Sequence, residues 1–349
     1  MLRRLRPDQV VVTGRPDDVS MLITKAVGRG NSVSEKRGLQ MSHASRNLRL
    51  GLIQAAVSGK PWSVSDLMVT LAKVARDERL NVGLEPNCAV GYPYTQEINP
   101  WEWAVNPWEW AVNPWEWAVN PDIPRVISIG TSPADGEARF WTQPALATIG
   151  LTELGQRSAA LANHQGAGVM VGIFDALPTQ PVSQPWLTLH ASTIPLESPD
   201  SDLTRDVSDH GLMCASLVHA VAPAAQVHLY EVCTKEGYGD LYPLLAALTD
   251  FIDMAAGHPA VISLSLGSLC CGSPSPAMQA VLQRATDLGM VVCAAAGNRG
   301  KSASKPCNLG AAQVPAALPN VIAVSASSLT GTRATYSLRG DIAAPGGED

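Results

Sequence analysis

Three separated residues have the side-chain types needed for acyl transfer. Asp175 ends the apolar run at 169–174, His210 begins a helical pattern, and Asn298 follows the small residues at 294–297. A carboxylate that accepts a hydrogen bond from an imidazole fixes its tautomer and stabilises the imidazolium formed when the histidine takes a proton. A carboxamide N–H can stabilise a developing oxyanion. The sequence therefore indicates chemistry that needs a nucleophile as a fourth member.

The elements that position these residues follow an α/β pattern. We predict strands over 169–174, 226–232, 261–266, 290–296 and 321–326, with helices over 210–220, 241–256 and 276–289. Short apolar strands separated by amphipathic helices predict a parallel sheet covered on both faces. Ligands of such sheets bind at the carboxyl ends of the strands, which is where Asp175 is expected to lie.

The three blocks resemble, in this order, the Asp, His and oxyanion-hole Asn blocks of the subtilisin-like serine peptidases, the subtilases. The similarity covers roughly 140–346 and includes the Val-Ala-Pro-Ala-Ala turn at 221–225. It implies a three-layer, parallel-sheet α/β core that hydrolyses peptide bonds in polypeptide substrates. In that reaction a serine attacks, His210 moves the proton, Asp175 orients His210, and Asn298 stabilises the oxyanion.

The segment Ser265-Leu266-Gly267 resembles the strand end that lines the substrate cleft of the family. An exposed strand edge there pairs with an extended peptide, so we predict Ser265, Leu266 and Gly267 to bind substrate. Two blocks depart from the family pattern. Ala176 and Leu177 stand where Ser or Thr and then Gly are usual, and Leu212 replaces a threonine after the histidine.

The nucleophile block of the family is missing from the sequence. The chain stops at Asp349, at about the place where the family runs on towards its Gly-Thr-Ser turn, so we expect residues 140–349 to be a C-terminally incomplete peptidase domain. Gly130-Thr131-Ser132 echoes that turn but precedes Asp175 and lacks a following helix, so Ser132 is not predicted to be the nucleophile. An inactive pseudopeptidase or gene fragment that binds peptides is the alternative.

Residues 8–95 are predicted to form a small α+β N-terminal domain. Strand-like 10–13, a helix over 64–79 with Ser63 or Ser65 as its N-cap, and an extended segment at 81–87 support this prediction. A helix followed by a strand ending in Glu-Pro-Asn resembles the end of the inhibitory propeptide of the family. It implies a domain that assists folding and occupies the cleft; a generic α/β cap is the alternative.

Residues 96–139 form a linker that contains an exact tandem repeat. The unit Pro-Trp-Glu-Trp-Ala-Val-Asn occurs three times between Pro100 and Asn120. A proline in every unit is incompatible with a heptad helix. A linker expansion is the preferred interpretation, because long surface insertions cost little stability. A segment that docks its aromatic side chains on a partner, as in a structural adaptor, is the alternative.

Charge and apolar patterning exclude several other classes. The net charge of −6 with scattered basic residues gives no stripe that could follow phosphates, so we predict no nucleic-acid partner. No signal-like segment and no stretch of about 18 apolar residues is visible, so we predict no membrane partner and a cytoplasmic location.

The seven cysteines are odd in number and lack metal-site spacing, which favours a reducing environment. Cys214 and Cys293 lie in apolar runs and are predicted to be buried small hydrophobes. Calcium ions are common in the resembled family, but no carboxylate cluster specifies a site. We therefore predict no metal ligands and no cofactor.

Overall fold

The computed structural model describes residues 5–29, 39–44, 50–55, 63–91, 149–150, 165–196, 208–268, 275–298, 312–328, 331–334 and 336–346. The predicted linker at 96–139, its Trp repeats and the Gly130-Thr131-Ser132 segment lie outside these residues.

The first part of the chain folds into an antiparallel sheet with two helices. Its elements are β1 (Leu5–Gly14), α1 (Pro16–Arg29), β2 (Leu39–Ala44), β3 (Leu50–Ala55), α2 (Val64–Asp77) and β4 (Val82–Gly91). β1 pairs with β3 and β4, and β2 pairs with β3. Ser63 caps α2, because its hydroxyl accepts a hydrogen bond of 3.1 Å from the backbone N–H of Asp66. The predicted strand, helix and N-cap are confirmed.

The second part of the chain is built on a seven-stranded parallel sheet. Its strands are β5 (Met170–Ala176), β6 (Leu187–His190), β7 (Gln226–Cys233), β9 (Ala260–Leu264), β11 (Val291–Ala295), β12 (Ile322–Ser327) and β13 (Ile342–Pro345). They lie in the order β13-β12-β11-β9-β5-β7-β6. Two short strands, β8 (Tyr238–Asp240) and β10 (Gly267–Ser268), lie outside this sheet and pair antiparallel with β4.

Helices cover both faces of the parallel sheet, which confirms the predicted α/β core. They are α3 (His210–Val221), α4 (Leu241–Met254) and α5 (Pro276–Asp287). Val171 and Ile173 of β5 pack with Ala215 of α3. The alternate residue Phe174 packs edge-on against Phe251 of α4, with ring centroids 6.0 Å apart. Successive β5 side chains thus enter opposite layers, as strand geometry requires.

The antiparallel sheet divides its side chains in the same way. Val10 and Val12 of β1 pack with Leu67 of α2. Val11, which points to the other face, joins the large core cluster that contains Phe251 of α4. One face of the small sheet therefore covers its own helices, and the other packs on the helical layer of the parallel-sheet core.

Several predicted boundaries change in the structure. β9 ends at Leu264, two residues before the predicted end, so Ser265 and Leu266 follow the strand. Asp175 is the penultimate residue of β5 rather than the residue after it. Asp209 precedes α3, but its side chain makes no capping hydrogen bond. Among the described helices, none is both long and apolar enough to cross a membrane.

The Phe251 ring of α4 is fully buried and packs against Phe174 of β5. We expect Phe251→Ala to lower the free energy of unfolding by about 3–5 kcal/mol, because it leaves a cavity under β5. Met254→Ala, on the same helix but 38% exposed, should cost less than about 1 kcal/mol. Urea denaturation of both variants measures the difference. Equal losses would contradict this description of the core.

Candidate active site

The site lies at the carboxyl edge of the parallel sheet, where the strand order reverses. The chain places β7 on one side of β5 and then β9 on the other. Asp175 lies near the end of β5, and Ser265 follows β9 directly. A crevice forms outside the strand ends at such a switch point, and ligands of open α/β sheets bind there.

Asp175 and His210 form a hydrogen-bonded pair in this crevice. The Asp175 carboxylate is fully buried, and its Oδ2 lies 2.8 Å from Nδ1 of His210, whose side chain is 18% exposed. The second oxygen, Oδ1, accepts a hydrogen bond of 2.7 Å from the backbone N–H of Ala176. Because an ionised carboxylate only accepts, Nδ1 donates, and in the neutral imidazole Nε2 keeps the lone pair that a general base needs.

Gly211 makes this close approach of helix and strand feasible. A Cβ at this position would lie 2.4 Å from the carbonyl oxygen of Ala176 and 2.9 Å from Cβ of Asp175. A larger residue would push the start of α3 away from β5, so the glycine allows Asp175 and His210 to lie within hydrogen-bonding distance.

The charge state of His210 depends on its neighbours. Burial lowers the pKa of His210, but the negative charge of Asp175, with smaller contributions from Cys214 and the hydrogen bonds, outweighs it. The net result is a His210 pKa well above its ordinary value. The imidazole is therefore basic, as a group that accepts a proton in a reaction should be.

Cys214 is a site neighbour that the sequence analysis interpreted wrongly. It is half-buried, and so is Cys293, rather than fully enclosed in the core as predicted. Sγ of Cys214 lies 4.0 Å from Nδ1 of His210 and 3.6 Å from Oγ of Ser265. The signal was present in the sequence, since residues four apart on a helix share a face. The thiol connects the Asp–His pair to the predicted substrate segment.

Within the segment Ser265-Leu266-Gly267, the Leu266 side chain is buried and the Gly267 backbone pairs with β4. The Leu266 side chain is only 2% exposed and belongs to the main core cluster, so any contact it makes with a peptide must use its backbone. Gly267 pairs with Gly91 of β4. On its other side, β4 pairs with β8, where Val90 lies opposite Gly239. Residues 89–91 thus lie as an antiparallel strand between β8 and β10.

Asn298 follows β11 at the same edge of the sheet. The preceding Gly297 has a φ of 101°, and its carbonyl accepts a hydrogen bond of 2.8 Å from the backbone N–H of Leu338. Asn298 forms an isolated bridge with Ser337. These contacts hold the asparagine backbone beside the ends of β9 and β11.

Gln313 is a second cleft residue that sequence reasoning missed. Its Oε1 lies 2.8 Å and 2.9 Å from where Cβ atoms on Gly297 and Gly267 would stand. The same oxygen is buried and accepts no hydrogen bond within the described part of the chain. No signal in the sequence marked this residue, because it is brought to the site by the fold after the segment at 299–311.

Two side chains of β4 complete the N-termini of core helices. Oε1 of Glu85 accepts a hydrogen bond of 2.8 Å from the backbone N–H of Ala277 in α5. Oδ1 of Asn87 accepts one of 3.0 Å from the N–H of Tyr242 in α4, whose own N-cap residue Asp240 makes no side-chain capping bond. Glu85 and Asn87 are two apart on one strand, so they share a face.

The fold and site define a peptidase-like α/β protein, with an Asp–His pair at the switch point beside an edge that pairs with an extended strand. Residues 167–349 match the family model described as the Subtilase family, and the chain belongs to this family. The family membership predicted from the sequence is therefore confirmed.

Several curated bacterial proteases are similar to the chain. It is 30% identical over 250 residues to an alkaline protease of Shouchella clausii, covering 63% of this chain and 60% of that protein. It is 31% identical over 196 residues to subtilisin BL of Lederbergia lenta, covering 52% and 65%, respectively. For subtilisin E of Bacillus subtilis the values are 30% over 197 residues, 52% and 48%. The matches thus span less than two thirds of each relative.

The Asp175 carboxylate is the main group that raises the pKa of His210. We expect Asp175→Asn to lower the His210 pKa, because the charge and the charge-assisted hydrogen bond are lost while burial remains. A pH titration of the His210 ring resonances by NMR measures this shift. Asp287→Asn, a surface change on α5, serves as the control and should leave the titration unchanged. An unshifted His210 pKa in Asp175→Asn would contradict the pairing.

Proposed function

We propose that the chain serves peptide-bond hydrolysis by a serine endopeptidase mechanism of subtilisin type. The observation that carries this proposal is the 2.8 Å contact between Oδ2 of Asp175 and Nδ1 of His210, which leaves Nε2 as the proton acceptor. In this reaction Nε2 takes the proton of a serine hydroxyl as its oxygen attacks the peptide carbonyl. It then gives that proton to the leaving amine.

Asn298 has the oxyanion role in this proposal. A side-chain N–H aimed at the carbonyl oxygen stabilises the charge that develops when the serine attacks. The position of Asn298 at the carboxyl edge of the sheet, next to the segment that follows β9, supports this role. The serine itself belongs to the Gly-Thr-Ser turn of the family pattern, and no Gly-Thr-Ser follows Asn298 within the 349 residues.

Polypeptides are the proposed substrates, and they would bind as an added antiparallel strand. The support is the position of β4, whose residues 89–91 pair with β8 and β10. Backbone hydrogen bonds of this kind are insensitive to sequence, so selectivity would come from contacts of the peptide side chains. Ser265, Leu266 and Gly267 would line one side of the bound peptide, and Leu266 would contact it through its backbone only.

A domain organisation accompanies this function. Residues 8–95 would act as an inhibitor-like partner that occupies the cleft, 96–139 as a linker, and 140–349 as the peptidase domain. The hydrogen bonds from Glu85 and Asn87 to the starts of α5 and α4 support the first of these assignments.

Peptide binding without cleavage is the second candidate function. The departures from the family pattern at Ala176, Leu177 and Leu212 favour a pseudopeptidase. The two candidates differ in whether a serine nucleophile meets Nε2 of His210.

The coding DNA beyond codon 349 and the reactivity of its product separate the two functions. We expect a Gly-Thr-Ser-x-Ala segment there, and a fluorophosphonate probe that labels its serine. Labelling should rise as the pH rises through the elevated His210 pKa, because only neutral imidazole accepts the proton. His210→Ala should abolish labelling, whereas His258→Ala, an exposed residue, should retain it. Absence of the segment and of any labelled serine would favour peptide binding alone.

The contacts of Glu85 and Asn87 generate a prediction about the N-terminal strand. In the double variant Glu85→Ala/Asn87→Ala, backbone amides of 89–91 and 238–240 should exchange with deuterium at least about fivefold faster. The reason is that two hydrogen bonds to helix N-termini contribute on the order of 1–3 kcal/mol. Lys25→Ala, which removes only a surface ion pair with Glu78, is the control. Unchanged exchange in the double variant would refute the proposed docking.

A further inference from the structure

We propose that Asp175, His210 and Cys214 form a binding site for one borderline-soft divalent metal ion, such as Zn²⁺, which holds the imidazole by Nδ1 and prevents it from acting as a base. This inference goes beyond the proposed peptidase function. It concerns the ligation of three side chains, and it stands or falls whether or not the chain cleaves peptides.

The three side chains offer donor atoms of the types that bind zinc. A carboxylate oxygen, a ring nitrogen and a thiol sulfur from these residues all lie within 4.8 Å of one another. Within the described ranges, no other group of three such side chains meets this condition. Nitrogen, sulfur and carboxylate oxygen are the ligands of Zn²⁺ and related ions, whereas calcium and magnesium select oxygen alone. The ligand class therefore separates this site from a calcium site.

The distances allow tetrahedral coordination after small side-chain movements. Zinc bond lengths of about 2.0–2.3 Å place neighbouring donors about 3.4–3.6 Å apart. Sγ of Cys214 is 4.0 Å from Nδ1 of His210, and Nδ1 is 2.8 Å from Oδ2 of Asp175. These two distances must each change by roughly half an ångström, and the third donor pair, Sγ of Cys214 and a carboxylate oxygen of Asp175, lies within 4.8 Å. Rotation of the Cys214 and His210 side chains can supply these movements.

The surroundings hold the three donors in place. Cys214 and His210 are separated by one turn of α3, so the helix fixes their spacing. The backbone N–H of Ala176 donates a hydrogen bond to Oδ1 of Asp175 and orients the carboxylate, whose Oδ2 would exchange its hydrogen bond with His210 for the metal. Hydrogen bonds of this kind to a ligating carboxylate orient it and strengthen binding. The half-buried Cys214 and the partly exposed His210 leave a route for an ion to enter.

Binding of such an ion would change the protonation of Cys214 and His210 and so prevent His210 from acting as a base. Coordination requires the thiolate of Cys214, so the thiol proton is released to solvent. It also requires an unprotonated Nδ1. An imidazolium releases its Nδ1 proton to solvent and keeps the proton on Nε2, whereas in the neutral ring the proton moves from Nδ1 to Nε2, so in both cases Nε2 carries the proton. A protonated Nε2 cannot accept the proton of a nucleophile, and the Asp175–His210 hydrogen bond no longer exists. The bound form is thus an inhibited state of the pair.

Titration of the reduced 349-residue chain with Co²⁺ tests the site without any activity measurement. We expect one equivalent to bind with a thiolate-to-cobalt absorption band in the near ultraviolet, and Zn²⁺ to displace it. Cys214→Ser should abolish the band, and Asp175→Asn should weaken Co²⁺ binding at least about tenfold. Cys293→Ser, a half-buried cysteine on β11, is the matched control. Cys270→Ser/Cys271→Ser tests the adjacent thiols outside the described residues, and both controls should keep the band.

A band that persists in Cys214→Ser, disappears in either control, or never saturates would overturn the proposal. Far-ultraviolet circular dichroism shows whether each variant is folded. The wild-type chain provides a measurement that needs no variant, since saturating Zn²⁺ should slow alkylation of Cys214 by iodoacetamide at least about tenfold, as quantified on its peptide by mass spectrometry. Unprotected Cys214 at saturating Zn²⁺ would also overturn the site.

Discussion

The fully buried carboxylate of Asp175 is the constraint on which the site depends. Removing a carboxylate from water costs several kcal/mol unless it is hydrogen-bonded and paired. The structure meets this cost with the backbone N–H of Ala176 and the ring of His210. The second partner requires the start of α3 to touch the end of β5, which the absence of a side chain at Gly211 permits. Sheet, helix and site are therefore fixed together by one charged group.

Hydrogen bonds to the N-termini of two helices hold the antiparallel sheet against the parallel-sheet core. Helices α4 and α5 begin near the cleft, and unsatisfied N–H groups at a helix N-terminus attract negative or oxygen-bearing side chains. Glu85 and Asn87 supply those oxygens from one strand, and residues 89–91 of that strand lie between β8 and β10. Burial raises the pKa of Glu85, so its carboxylate is placed there at some desolvation cost. Helix capping and strand pairing thus position β4 between β8 and β10.

The sequence predicted the parts of this structure that local patterns encode. Alternating apolar strands and helices predicted the α/β core, and the motifs around Asp175 and His210 indicated residues that the fold brings into contact. It could not predict β8 or β10, because three-residue and two-residue strands form only by pairing with β4. Gln313 escaped notice for a related reason, since its place between Gly267 and Gly297 arises from tertiary packing. Cys214 was judged by its apolar neighbours in sequence, although its helical face was shared with His210.

The Nδ1–H of His210 donates a hydrogen bond to the buried Asp175 carboxylate, and Nε2 of the neutral ring can therefore act as a base. Proton NMR of the 349-residue chain detects this hydrogen bond, because a proton held in a short bond between imidazole and carboxylate resonates far downfield of the backbone amides. We expect one such resonance, coupled to a ring nitrogen of His210 in the ¹⁵N-labelled protein. A His210 ring whose Nδ1 carries no proton, or whose Nδ1 proton resonates at the position of a solvent-exposed imidazole, would contradict it.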